Sequence, residues 1–109
     1  MVVNETKGRY AMKLVAVTAC PTGIAHTYMA AEQLEKTAKK HGHTIKVETQ
    51  GAMGIENELS QAEIDAADLV IFAVGIPVRN SERFVRIKQL EVSVQDAIKN
   101  PERVFANIG

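Results

Sequence analysis

Two uninterrupted apolar runs, Leu14-Val15-Ala16-Val17 and Leu69-Val70-Ile71-Phe72-Ala73-Val74, constrain this chain more than any other feature of it. Each has the length of a strand and no polar position, the pattern of a strand covered on both faces. Such a sheet needs helices on both sides, and the intervening segments supply them. From Ile24 to about His41, residues Ile24, Tyr28, Ala31, Leu34 and Ala38 recur at helical spacing on one side, opposite a polar side. Glu32 with Lys36 and Glu35 with Lys39 are i,i+4 pairs in the favourable order, and Gly42 is placed to terminate the helix. Ser60-Gln61-Ala62-Glu63 reads as a capping box that opens a short helix ending near Asp68. Ser93-Val94-Gln95-Asp96 opens a third helix, which Pro101 interrupts or restarts, because the residue before a proline is biased away from helical backbone.

Thr44-Ile45-Lys46-Val47-Glu48 and Gln89-Leu90-Glu91-Val92 alternate apolar with polar, as strands do when less completely covered, and are expected at the sheet edges. The alternation of strand and helix then predicts a single-domain α/β fold: an open, parallel, four-stranded sheet in the order 2-1-3-4, with right-handed crossovers and helices on both faces. This is a flavodoxin-like or Rossmann-like arrangement. At 109 residues the chain fits one domain, able to bury about two thirds of its unfolded surface without disulfides or a structural metal. Residues 1–11 show no useful periodicity and read as a leader or linker remnant, with 12–109 as the domain. Thirteen basic and thirteen acidic side chains cancel, so no global field calls for nucleic acid or an acidic membrane surface. No apolar run reaches membrane-spanning length and the N-terminus lacks a signal peptide's hydrophobic stretch, so a cytoplasmic location without direct membrane insertion is expected.

In a sheet of this order, ligands bind beyond the carboxyl ends of the strands where the order reverses, between the first and third strands. The loop leaving the first strand holds the only cysteine, in Cys20-Pro21-Thr22-Gly23-Ile24-Ala25-His26-Thr27. A thiol just ahead of a helix faces backbone N–H groups and the positive end of the dipole, which favour both a thiolate and a bound phosphate. Pro21 fixes its own φ, Gly23 lets the backbone close around a ligand, and the amides from Thr22 to His26 are candidate donors. Thr22 and Thr27 carry hydroxyls suited equally to phosphate oxygens or to capping the helix. One cysteine forms neither a redox pair nor an internal disulfide; it is a small core residue or a single nucleophile, and the Pro-Gly context favours the nucleophile. Two loops should flank it: Thr49-Gln50-Gly51-Ala52-Met53-Gly54 and Gly75-Ile76-Pro77-Val78-Arg79-Asn80. There Gln50 and Gly51 are flanking candidates, Met53 is either an apolar rim or core, and Arg79, with Arg83 and Arg86, is either a docking cation group or solvated charge.

A cysteine phosphatase loop runs Cys, five residues, Arg; here the count lands on His26. Without that arginine and an aspartic acid, a thiophosphate once formed should resist hydrolysis, a defect in a phosphatase but a requirement in a carrier. The chain has no Gly-x-x-x-x-Gly-Lys-Ser/Thr run, no Gly-x-Gly-x-x-Gly, and no aspartate at the end of the third strand for a receiver-type acceptor. With two tyrosines, three phenylalanines and no tryptophan, a flavin site is poorly supplied. His41 and His43, at the far end of the first helix, are expected on the surface, and one cysteine with three histidines so spread has no zinc-ligand spacing. No metal or cofactor is expected.

Ala16-Val17-Thr18-Ala19-Cys20-Pro21-Thr22-Gly23-Ile24-Ala25-His26-Thr27, then Met29-Ala30-Ala31-Glu32, then Val47-Glu48-Thr49-Gln50-Gly51 resembles the enzyme IIB component of the fructose-family phosphoenolpyruvate-dependent sugar phosphotransferase system. The resemblance continues through Gly54–Leu59, Ala66–Asp68, Glu82–Phe84 and Ser93–Ala97. It implies a phosphotransferase that accepts a phosphoryl group on Cys20 from a phosphohistidine of enzyme IIA and passes it to a fructose-like sugar bound by membrane enzyme IIC, at the inner face of the cell membrane. The His26 ring is expected to cap or pack rather than act, since a strong general acid there would promote hydrolysis. The alternatives are a low-molecular-weight cysteine phosphatase and a non-catalytic regulatory domain of the same fold.

Overall fold

Both apolar runs lie at the centre of one sheet, as β1 (Lys13–Ala19) and β4 (Leu69–Val74), paired in parallel from Leu14 opposite Leu69 to Ala19 opposite Val74. The computed structural model describes residues 11–20, 24–51, 54–106 and 108, so the expected leader at 1–11 falls almost wholly outside the described residues. β2 (Thr44–Gly51) pairs in parallel with β1, and β5 (Gln89–Val92) with β4. A short strand, β3 (Gly54–Glu56), adds an antiparallel edge to β2 and makes a mixed five-stranded sheet in the order β3-β2-β1-β4-β5.

The expectation of four parallel strands with the Thr44–Glu48 segment at an edge is therefore corrected. After Gly51 the chain reverses and pairs Gly51 with Gly54, Gln50 with Ile55 and Thr49 with Glu56. Gly54 has φ +96°, a left-handed backbone that costs a glycine little. Three residues are too few to show a period, so this strand looks like loop in the sequence.

One sheet face, through Leu14, Ala16, Val47, Leu69, Ile71 and Ala73, packs on α1 (Ile24–Lys40), α3 (Val94–Lys99) and α4 (Pro101–Ala106). Val15, Val17, Val70 and Phe72 on the other face pack against Leu59, against Ile64 of α2 (Gln61–Ala66) and against Phe84 of a 3₁₀ turn (Ser81–Phe84). There the rings of Phe72 and Phe84 meet edge to face at 5.1 Å. Ala30, Ala31 and Ala38 bring α1 close to the sheet, and its buried stripe also includes Thr27 and Thr37. Those two polar residues mislead a hydrophobic count. The stripe is rotated from the expected one, leaving Tyr28 exposed.

The cap signals are realised. Ser60 Oγ accepts from the Glu63 N–H at 3.1 Å while the Glu63 carboxylate accepts from the Ser60 N–H at 2.8 Å. This closes the first turn of α2, which ends at Ala66 rather than Asp68. Ser93 Oγ accepts from the Asp96 N–H at 3.0 Å, and Pro101 opens α4. Gly42, at φ +81°, ends α1.

His41 and His43 are not the simple surface residues expected. Both rings stack on Phe105, at 6.0 and 6.2 Å, and His41 Nε2 lies 2.7 Å from the Glu102 carboxylate, which also accepts from Lys40 Nζ at 2.9 Å. His43 Nδ1 accepts from the Met12 N–H at 2.9 Å, so that bond needs a neutral ring. Partial burial, then the neighbouring His41, hold its pKa below the ordinary histidine value. A histidine pKa depressed by folding contributes stability above its unfolded value, about 6.5, which is lost as pH falls from there through the folded value. The urea midpoint of the native chain is thus expected to fall between about pH 7 and pH 5.5, and that of His43→Gln to fall less. Parallel curves would contradict this assignment.

Candidate functional site

Ala19, the last residue of β1, pairs with Gln50 on one side and Val74 on the other, so Cys20 leaves the sheet between the carboxyl ends of β2 and β4. That is the point at which the chain crosses to β2 on one side and later to β4 on the other. Cys20 is 8 % exposed and belongs to the core cluster on the α1 face. Pro21, Thr22 and Gly23 lie outside the described residues. α1 begins at Ile24 and runs for 17 residues, long enough to develop a substantial dipole. Its first turn, Ile24-Ala25-His26-Thr27, directs N–H groups along the axis towards the N-terminal end of the helix.

The ring of His26 faces the thiol, with Nδ1 3.8 Å from Cys20 Sγ. The packing expected of this ring is thus against the thiol itself. Its direction is not revealed by residue spacing alone. Below it, Thr18 Oγ1 donates to the Thr27 carbonyl at 3.1 Å, tying the end of β1 to the first turn of α1. Thr27 itself is 2 % exposed and lies on the buried side of that turn.

β3 is held to α1 through Glu56, whose carboxylate accepts from the Tyr28 hydroxyl and, at 3.4 Å, from Thr49 Oγ1. The hydrogen bond to Glu56 is the main reason the Tyr28 phenol titrates above its ordinary value. Gly51 is half-buried at the end of β2, and Met53 lies outside the described residues. On the other flank, the Gly75 N–H donates to the Ala19 carbonyl at 2.8 Å, placing the start of the 75–80 loop against the residue before Cys20.

Gln50 does not present its side chain to a partner: it is 2 % exposed and bonded to the backbone of Arg79. The Arg79 side chain is exposed, as a docking cation needs to be. Arg83 is corrected from that role. Its guanidinium forks onto the fully buried Glu48, with Nη1 to Oε1 at 2.8 Å and Nη2 to Oε2 at 3.0 Å. Burial pushes the Glu48 carboxyl up, but Arg83, the Leu59 N–H and Gln50 together outweigh it and hold the pKa below the usual carboxylate value. Sequence reasoning missed Glu48, because an alternating strand taken for an edge turns its acidic residues to water. Among the described residues no group of three or more His, Cys, Asp and Glu is arranged to hold a metal ion, and no helix is long and apolar enough to cross a membrane.

The sheet order and the cysteine at its reversal define an open α/β domain with its candidate site at the carboxyl ends of β1 and β4. Residues 15–107 match the family described as the lactose/cellobiose-specific IIB subunit of the phosphotransferase system (PTS). The PTS system fructose-like EIIB component 2 of Escherichia coli K12 is 47 % identical over 96 residues, which are 88 % of this chain and 91 % of that protein. The fructose-like PTS system EIIBC component of the same strain is 50 % identical over 99 residues, 89 % of this chain but only 20 % of that longer protein. A crystal structure of a domain from the fructose-specific IIABC component of Borrelia burgdorferi is 48 % identical and superposes with a TM-score of 0.84, covering 90 % of this chain and 93 % of that one. The chain belongs to the IIB components of the phosphoenolpyruvate-dependent sugar phosphotransferase system, and within them to the fructose family.

Proposed function

We propose that Cys20 is a covalent phosphoryl carrier, loaded from a phosphohistidine of enzyme IIA and discharged onto a fructose-like sugar held by membrane enzyme IIC. The observation that carries this reading is the thiol at the switch point, ahead of a long helix and 3.8 Å from the His26 ring. In loading, the Cys20 thiolate attacks phosphorus in line; the S–P bond forms, the N–P bond of the phosphohistidine breaks, and its electron pair returns to the imidazole of IIA. The first turn of α1, with the loop 21–23, gathers the equatorial oxygens as charge spreads over them. In discharge a sugar hydroxyl attacks phosphorus, the O–P bond forms, and the S–P pair returns to sulfur; the hydroxyl proton goes to a base outside this chain. The helix dipole favours the thiolate before loading and the phosphate dianion after it, so neither state is strongly preferred and transfer is close to reversible. His26, with Nδ1 turned to the sulfur, donates a hydrogen bond to whichever anion is present.

The EIIBC relative, whose name joins IIB to IIC, supports IIC as the acceptor side. With such a partner the domain works in the cytoplasm at the inner face of the membrane. The family description names lactose and cellobiose while the relatives quoted are called fructose-like. We take the fructose-like reading because it comes from identities of 50 % and 47 % over 89 % and 88 % of this chain.

Retention of the group separates a carrier from a phosphatase. A chain loaded from radiolabelled phospho-IIA, then separated from it, is expected to keep its label in buffer and lose it to sugar when IIC-containing membranes and fructose are added. Steady release of inorganic phosphate without membranes would favour the phosphatase reading instead.

A further inference from the structure

We infer that Gln50 is a positioning residue for loading: it fixes the 75–80 loop beside Cys20 and thereby sets where Arg79 meets the phosphorylated partner. Its buried amide treats Arg79 as a neighbouring strand would, Oε1 accepting from the Arg79 N–H at 2.8 Å and Nε2 donating to the Arg79 carbonyl at 3.1 Å. The second Nε2 proton goes to Glu48 Oε2 at 2.7 Å. An ionised carboxylate only accepts, so Glu48 dictates which end of the amide faces it and hence which end receives each backbone group of Arg79. Glu48 is fixed in turn by the Leu59 N–H at 2.8 Å and by the fork of Arg83. Arg83 also donates from Nε to the Asn80 carbonyl at 2.8 Å and from Nη2 to the Arg79 carbonyl at 3.3 Å. Asn80 has φ +57°, a left-handed turn that these bonds hold in place. The loop is thus tied at one end by Gly75 to Ala19 and at the other by Gln50, whose strand position is directly opposite Ala19. At the second tie the chain presents the exposed Arg79 guanidinium from a backbone held at both its N–H and its carbonyl.

This inference rests on the phosphocarrier reading, and the experiment separates the two. Loading by phospho-IIA is measured at varied IIA concentration for the native chain, Arg79→Ala, Gln50→Met and the double variant. Methionine matches the length of glutamine without its hydrogen bonds. Arg79→Ala and Gln50→Met are each expected to raise KM for phospho-IIA about tenfold with kcat within about twofold, as loss of an encounter contact does. The double variant is expected to be no worse than Arg79→Ala alone, since Gln50 acts through Arg79. A purely structural role for Gln50 would give additive losses, and additivity overturns the inference. So does an unchanged KM for Arg79→Ala, whether or not Gln50→Met folds. A native chain that takes up no phosphoryl group overturns the phosphocarrier reading as well; a native chain that loads while Gln50→Met loads equally well overturns this inference alone.

Discussion

A Cys20→Ser chain is expected to take up no measurable phosphoryl group from phosphorylated IIA, a loss of roughly a thousandfold or more, the scale on which removal of a nucleophile acts. The reason lies in the acid strength of the two side chains. A thiol titrates within reach of neutrality and is shifted further towards the anion by a helix N-terminus, whereas a serine hydroxyl stays protonated and needs a separate base. In the proposed carrier His26, 3.8 Å from the sulfur, donates through Nδ1 to the anion, and a ring nitrogen that carries a proton does not act as that base. Serine is nearly isosteric, and a hydroxyl there meets the same ring, so the stability change should stay within about 1.5 kcal/mol. Circular dichroism and a urea melt check the fold, and transfer of label checks the chemistry. A Cys20→Ser chain that still supports sugar phosphorylation would mark the domain as a regulatory binder.

Arg83→Met is expected to lower stability by about 3–5 kcal/mol near neutrality, the usual consequence of removing one partner from a buried ion pair. Glu48 is fully buried, and without the guanidinium it would keep, among the described residues, the Leu59 N–H and Gln50 as donors. Burial, now poorly opposed, should raise its folded pKa above the unfolded value. The sign of the pH dependence follows. In the native chain the Glu48 pKa is depressed, so its contribution is intact above about pH 4.5 and is lost only as pH falls through the folded value. In Arg83→Met the penalty applies to the ionised form and is relieved as the group takes up a proton. The gap between the two chains should therefore narrow on going from about pH 7 to about pH 5. Urea melts at both values test this; a gap under about 1 kcal/mol, or one that does not shrink, would contradict it. The Lys46–Glu63 pair, at 2.9 Å but with both side chains 40 % exposed, is expected to matter far less.

Much of the fold is legible in the chain because the central strands have no polar position and the helix starts carry explicit caps. Leu14–Val17 and Leu69–Val74 admit burial on both faces and little else. Ser60-Gln61-Ala62-Glu63 satisfies its own orphan amides, and Gly42 ends α1 in a left-handed turn. What is not legible depends on contacts distant in sequence. β3 is three residues long and exists only because β2 offers it an edge. Glu48 looks like a solvent-facing position until Arg83, 35 residues further on, closes on it, and Gln50 until the Arg79 backbone pairs with it. Thr27 and Thr37 hide in the buried stripe of α1 because their small side chains fit where the helix meets the sheet.

The position of the candidate site was readable for a different reason: an open sheet of alternating strands and helices has one point of reversal, and the only cysteine falls on it. The orientation of His26 was not, since residue spacing does not fix a side-chain rotamer. That orientation sharpens the central chemical question. A thiol and an imidazole nitrogen, two side-chain types that act as nucleophiles, lie side by side.

Tandem mass spectrometry of the chain after brief incubation with phosphorylated IIA, digested under conditions that preserve both S–P and N–P bonds, resolves it. A single added phosphoryl group is expected on the fragment ion containing Cys20, with His26 unmodified. A phosphoryl group on His26, or on any residue other than Cys20, would contradict it.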